Sequence, residues 1–293
     1  MRKELLVVTV VLFGSIAPLF AQEAPDGALH GDIGVTFDTK YVWRGILVYG
    51  ADTAIHPFVN LDLMGSGFHL EAIGHRANAS GHELGERWDY SPYYAGAFNV
   101  EQPCETRYMV GYRYFNYPDL SSHTCSSVDL QEMYAGFVFP RILGVPGLVP
   151  GYVVIKAWPS NSGTVVGARN PNGGTYSGWA HVFMLDYAMK VTGFTAETPE
   201  QTINFHVETV YNDGVDPRPA GGYTDSDWTH VMMSVSTDFD LGNNVIFTPA
   251  LYYQITMEDN GAKGPNFPVG GVYQGVSPDH DITWASATLK YKF

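Results

Sequence analysis

Asp279-His280-Asp281-Ile282-Thr283-Trp284-Ala285-Ser286-Ala287-Thr288-Leu289-Lys290-Tyr291-Lys292-Phe293 closes the chain. Side chains along a strand point alternately to opposite faces. From Thr283 onward one row reads Ala285, Ala287, Leu289, Tyr291 and Phe293, and the other reads Trp284, Ser286, Thr288, Lys290 and Lys292. The segment is therefore a strand with one face suited to hydrocarbon and the other to water. Its two polar backbone edges cannot stay unpaired inside a bilayer, so the rest of the chain is expected to close on it.

The start of the chain fits that expectation. Arg2 and Lys3, an apolar run over residues 5–20 and Ala21 read as an export signal of residues 1–21. That run contains Pro18 and is short for a membrane span. Residues 22–31 then form a periplasmic tail, and residues 32–293 form one barrel. No other stretch approaches the roughly 20 apolar residues of a spanning helix, which excludes a helical membrane protein. Aromatics at 14% and charged residues at 16% suit a barrel with aromatic girdles. A formal charge of −14 makes the chain a poor partner for nucleic acid.

The body divides into twelve alternating runs, separated by connections that are in turn short and long. The expected fold is all-β, a twelve-stranded antiparallel transmembrane up-and-down β-barrel in the outer membrane of a Gram-negative-type bacterium. Residues 32–44 form the first run, with Ile33, Val35, Phe37, Tyr41 and Trp43 on the lipid side. Residues 55–64 and 67–76 flank the turn Gly65-Ser66. That turn pairs Leu61 with Leu70 and Val59 with Ala72 on one face, and Asp62 with His69, Asn60 with Glu71 and His56 with His75 on the other. A slip of one residue would destroy the match. Around Gly242-Asn243-Asn244 the same logic sets Phe239 against Phe247, Val235 against Leu251 and Val231 against Ile255. The long connections, residues 45–54, 77–87, 118–127, 159–177, 213–227 and 259–279, are rich in turn formers and are expected outside the cell. Cys104 then lies in a periplasmic turn and Cys125 in an outer loop. A spanning strand of ~10 residues at ~3.3 Å each separates them, too far for the ~7 Å Cα limit of a disulfide.

Asp38-Thr39-Lys40-Tyr41-Val42-Trp43-Arg44-Gly45 resembles the aromatic-Arg-Gly motif that opens the TorF-like porins, a family of small outer-membrane barrels. Val110-Gly111-Tyr112-Arg113-Tyr114-Phe115-Asn116-Tyr117-Pro118 and Glu132-Met133-Tyr134-Ala135-Gly136 resemble that family's fifth and sixth strands. The aromatic Phe293 at the end resembles the C-terminal strand signal of bacterial outer-membrane barrels. The TorF-like resemblance covers roughly the first half of the chain and implies an outer-membrane barrel; the second half matches in architecture.

Parity places Asp32, Asp38, Asp62, Glu71, Asp89, Glu132, Asp186 and Glu208 in the lumen with Lys40, Arg44, Arg113, Lys156, Lys190 and Lys290. Asp38, Lys40, Arg44, Asp62, Glu71, Arg113, Glu132, Lys156 and Glu208 are the candidates for lining or constricting it. Arg44 and Arg113 lead this set, since a guanidinium can hold a carboxylate bidentately. His56 and His75 are weak metal candidates as an imidazole pair across a hairpin. Asp213, Asp216, Asp225, Asp227 and Asp259 are further oxygen donors in outer loops.

These readings point to a passive channel for small polar solutes or ions, with a narrow mixed-charge lumen, membrane lipid as surroundings and no cofactor. It would not be an enzyme, and homo-oligomers are compatible with the plan. Two other functions fit the same pattern. One is a plugged barrel serving structure or adhesion through its outer loops. The other is a lipid-modifying enzyme using His181 or His230 with Ser177, Ser234 or Ser236.

Overall fold

The computed structural model describes residues 28–119, 129–159, 177–193, 199–214, 226–257 and 281–293. The predicted signal 1–21, Cys125, Asp216, Asp225 and Asp259 lie outside the described residues.

The barrel wall is built from β1 (His30–Asp38), β4 (Ala54–Asp62), β5 (Phe68–Ala77), β6 (Arg87–Phe98), β7 (Thr106–Asn116), β8 (Leu130–Val138), β9 (Leu148–Pro159), β10 (Gly178–Thr192), β11 (Glu200–Asp213), β12 (Ser226–Thr237) with its continuation β13 (Phe239–Gly242), β14 (Val245–Thr256) and β15 (Ile282–Lys292). Two short strands, β2 (Val42–Trp43) and β3 (Ile46–Leu47), pair with each other and stand apart from the wall. Each wall strand is antiparallel to its chain neighbour, and β1 pairs with β15 from Asp32↔Lys292 to Asp38↔Ser286. Counting β12 and β13 as one stave, twelve strands close the sheet on itself and leave no open edge.

Burial follows the period of two. On β15, Ile282, Trp284 and Ser286 turn inward and are buried, while Leu289, Tyr291 and Phe293 face out. On β1, outward Ile33, Val35 and Phe37 stand opposite Tyr291, Leu289 and Ala287, and inward Thr36 hydrogen-bonds Thr288 at 2.8 Å. The outer surface also carries Phe68, Leu70, Trp88, Tyr90, Trp179, Phe183, Tyr187, Trp228 and Tyr253, an apolar belt with many aromatics of the kind that faces lipid. The register of β4 with β5 contains the expected Asp62↔His69, Asn60↔Glu71, Leu61↔Leu70 and Val59↔Ala72. Asp62 Oδ1 accepts the Gly65 amide at 2.9 Å and so fastens the turn. The pairs Phe239↔Phe247, Val235↔Leu251 and Val231↔Ile255 are likewise present.

The first connection departs from expectation. β1 ends at Asp38, and Thr39 caps it through the exchange Thr39 N to Ala285 O and Ala285 N to Thr39 Oγ1, both 2.9 Å. The chain then turns into the barrel instead of continuing upward as a lipid-facing strand. Tyr41 and Trp43 are buried, because the interruption after Asp38 resets the alternation that would have sent them to lipid. The hairpin is closed by Arg44 and Gly45, with φ of 51° and 82° and pairs Val42↔Leu47 and Trp43↔Ile46. Two positive-φ residues in a two-residue loop match the right-handed twist of the flanking strands. Buried Tyr41, Trp43, Val48 and Tyr49 join the inward side chains of β7 to β11, whereas Val42 and Leu47 pack on Met232, Tyr252, Ile282 and Trp284. The hairpin thus bridges opposite walls.

Candidate functional site

The site is the space between this hairpin and the lumen wall. Arg44, at the hairpin tip, sets Nη2 2.5 Å from Glu132 Oε1 on β8, and Glu132 is buried. On the far wall Gln254 of β14 donates from Nε2 to the Gly45 carbonyl at 3.1 Å. A side chain on Gly45 would bring Cβ within 2.8 Å of His230 Nδ1 on β12. Gly45→Ala is therefore expected to weaken hairpin seating by about 1–2 kcal/mol from the left-handed backbone alone, with the contact to His230 in addition. Trypsin cleavage after Arg44 in the folded barrel would accelerate; an unchanged rate would contradict this seating.

Arg87 of β6 carries the root of the hairpin. Its Nη2 donates to the Tyr41 hydroxyl at 2.9 Å and to Asp89 Oδ2 at 3.0 Å, and its Nε lies 2.7 Å from Asp89 Oδ1. Its guanidinium lies 4.6 Å over the Trp43 ring and 4.8 Å over Phe115, and Arg44 lies 4.8 Å over the same indole. Trp43 so holds two cations by its π face. Burial pushes the Tyr41 phenol well above its ordinary range despite the pull of Arg87, which keeps the hydroxyl neutral. Tyr49 donates to the carbonyls of His75, at 2.8 Å, and Gly85, at 3.1 Å.

Deeper on the same wall, Arg113 Nε donates to Ser91 Oγ at 2.8 Å, and Nη2 stands 3.5 Å from Glu71 Oε1. Its guanidinium lies 5.5 Å over Tyr134. On the opposite wall His206 Nδ1 meets Asp186 Oδ1 at 2.6 Å and Nε2 meets Glu208 Oε2 at 3.4 Å, while His230 Nε2 lies 3.6 Å from Glu208 Oε1. Buried charges of this kind persist because each is set against a partner. These ion pairs are networked, and they share the barrel interior with the apolar inward side chains of β7 to β11.

Of the sequence candidates, Asp38, Glu71, Arg113, Glu132 and Glu208 are buried inside the barrel, and Arg44 reaches Glu132 from the hairpin. Asp62, on the same face of β4 as His56 and Asn60, also fastens the turn at Gly65. Lys40 lies above the wall, donating to the Thr283 carbonyl at 3.2 Å. Lys156 is a correction. Its neighbours Ile155 and Ala157 are buried and inward, and Lys156 faces out with Nζ 5.3 Å from the Trp179 ring. A lysine near the outer end of a strand can carry its charge to the headgroup level along its aliphatic stem. Sequence reasoning missed Arg87, Tyr41, Trp43 and Gln254. The expected outer connection 77–87 takes in Arg87, although Arg87 shares its face with Asp89 two residues on.

His181 is outward and bonds the Tyr152 hydroxyl at 2.7 Å; His230 is inward, with Thr229 Oγ1 at 2.8 Å from Nδ1. Among the described residues no serine hydroxyl bonds either histidine. Asp213 accepts from the Ser226 hydroxyl at 2.7 Å and Asp227 from the Trp228 amide at 2.7 Å. Among the described residues no three His, Cys, Asp or Glu side chains form a group that could hold a metal ion.

The sequence matches no family model and no curated protein. Among solved structures the chain is similar to a KdgM porin in complex with disordered oligogalacturonate, at 10% identity over 89% of this chain and 99% of that one, with a TM-score of 0.49. It is also similar to the NanC porin, at 10% identity over 90% and 98%, TM-score 0.46. A third similar structure is an anion-selective porin from Comamonas acidovorans, at 11% identity over 91% and 99%, TM-score 0.41. At such identities and scores these likenesses carry no argument about solute, and the barrel rests on the strand pairing described above.

Proposed function

We propose that the chain is an outer-membrane channel in which small polar solutes or ions pass a constriction made by the inward hairpin and the charged wall around it. The observation that carries this reading is the manner in which the hairpin is held. A salt bridge at Glu132, a hydrogen bond at Gln254 and the Arg87 contacts fix it across a lumen lined with charge, the kind of interior found in wet barrels. The aromatic-Arg-Gly motif of the TorF-like resemblance coincides with the hairpin tip, which accords with a role in passage. The belt of outward aromatic and aliphatic residues supports placement in an outer membrane.

The test is single-channel conductance of refolded protein in a planar bilayer, with Arg44→Ala as comparison. Discrete steps are expected, and the variant should conduct more and shift its reversal potential toward cations, since Glu132 then stands alone. A folded, inserted protein without conductance would overturn the channel reading. One observation favours a second reading, a plugged barrel that presents its outer loops: aromatic packing of the hairpin reaches both walls. Absence of steps in both proteins would support it.

A further inference from the structure

Under the hairpin root, four side chains from four wall strands form a chain of contacts. Asp38 Oδ2 of β1 lies 3.2 Å from His56 Nε2 of β4, and His56 Nδ1 lies 2.9 Å from His75 Nδ1 of β5. His75 Nε2 in turn lies 3.2 Å from Asp89 Oδ2 of β6. At 3.2 Å a bare ring lone pair would repel a carboxylate oxygen, so each Nε2 carries hydrogen, that of His75 in a hydrogen bond to Asp89 and that of His56 in an ion-pair contact with Asp38. Both Nε2 atoms are therefore N–H groups, and the two Nδ1 atoms face each other. With no proton between them two lone pairs oppose each other, and with two protons two N–H groups collide. With one proton they form a hydrogen bond, and the pair as a whole carries a single positive charge. That charge and Arg87 together balance Asp38 and Asp89, which leaves the buried cluster neutral.

We propose that His56 and His75 form a one-proton site that keeps the hairpin seated, and that uptake of a second proton unseats it. The link to the hairpin is direct. The Tyr41 ring is stacked on His75, with centroids 5.0 Å apart and planes at 10°, and leans on His56 at 4.6 Å. Tyr49 donates to the His75 carbonyl at 2.8 Å. The groups facing the pair are thus Asp38 from β1, Asp89 with its partner Arg87 from β6, and the neutral phenols of Tyr41 and Tyr49 from the hairpin. None of these can accept the second Nδ1 proton in place, so the rings must part and Tyr41 loses its seat. A metal ion fits the gap less well than a proton does. Two nitrogens bound at ~2.0–2.1 Å to a tetrahedral ion stand ~3.3 Å apart, and no third ligand converges here among the described residues. Because the unseated state holds one more proton, acidification favours it, by at most about tenfold per pH unit.

The test joins two readouts on refolded wild type and His56→Gln. Nitrogen NMR of labelled histidines in micelles, titrated from about pH 8 to about pH 4, should show one shared Nδ1 proton. Loss of that bond on acidification should coincide with loss of Tyr41 contacts to His75. Conductance should rise over the same range in wild type and stay flat in the variant. Unaltered Tyr41 contacts across the titration, or an acid response retained by folded His56→Gln, would overturn the proposal. So would zinc at neutral pH shifting both imidazoles together. Unseating seen by NMR without conductance at any pH would sink the channel reading and leave the proton site standing.

Discussion

Replacing residues 41–48 with a short Gly-Ser linker is expected to raise unit conductance several-fold. The hairpin crosses the lumen from the Arg87 and Glu132 wall to the Gln254 and His230 wall, and excision removes at once the buried rings of Tyr41 and Trp43 and the cation at Arg44. The wall itself does not depend on these residues, because β1 and β4 pair directly from Asp38↔Ala54 to His30↔Asp62. The excised protein should keep its barrel, visible as unchanged β-sheet circular dichroism and heat-dependent gel mobility. Three carboxylates lose part of their compensation when the hairpin leaves, Glu132 directly and Asp89 and Asp38 through the disturbed root, so cation preference should increase. Unchanged conductance in a folded, excised barrel would mean that the hairpin does not narrow the path.

The largest effect on stability is expected at the outer belt. Val207 lies in the middle of β11, opposite Leu185 on one side and Met233 on the other, and faces out. Val207→Arg should cost about 2–4 kcal/mol if that position sits near the bilayer midplane, because a guanidinium there cannot be hydrated without distorting the membrane. Val207→Leu should be nearly neutral. Unfolding by guanidinium from lipid vesicles reads the difference directly. A small cost for arginine would place Val207 near an interface or against protein, and the height of the belt would have to be redrawn.

Most of the wall was legible in the chain because its two solvents impose a period of two. The pairs of β4 with β5 and of β14 with its neighbours follow once apolar is matched with apolar. The hairpin was not legible for a definite reason. Tyr41 and Trp43 continue the parity of Ile33, Val35 and Phe37, and alternation cannot reveal that the strand has stopped at Asp38. The turn itself offered little signal, since Arg44 occupies a positive-φ position usually filled by Asn, Asp or Gly. Lys156 shows the converse error. A charged residue on a strand reads as inward, but next to Trp179 near the strand's outer end it can stand on the lipid side. Arg87 is hidden by the loop signal of Gly81 and Gly85, which runs up to it and makes the second outer connection read as including it.

The seam between β1 and β15 joins residues such as Asp32 and Lys292, almost the full chain apart, and the hairpin emerges from the strand that closes this seam. It also meets Glu132 and Gln254, which belong to opposite arcs of the wall. No partial sheet can offer both contacts, so the hairpin has no complete seat until the last strand has arrived. Seating and closure are then a single late event of high contact order. The hairpin then reports closure: a barrel that had failed to close would leave Tyr41, Trp43 and Arg44 without their seats.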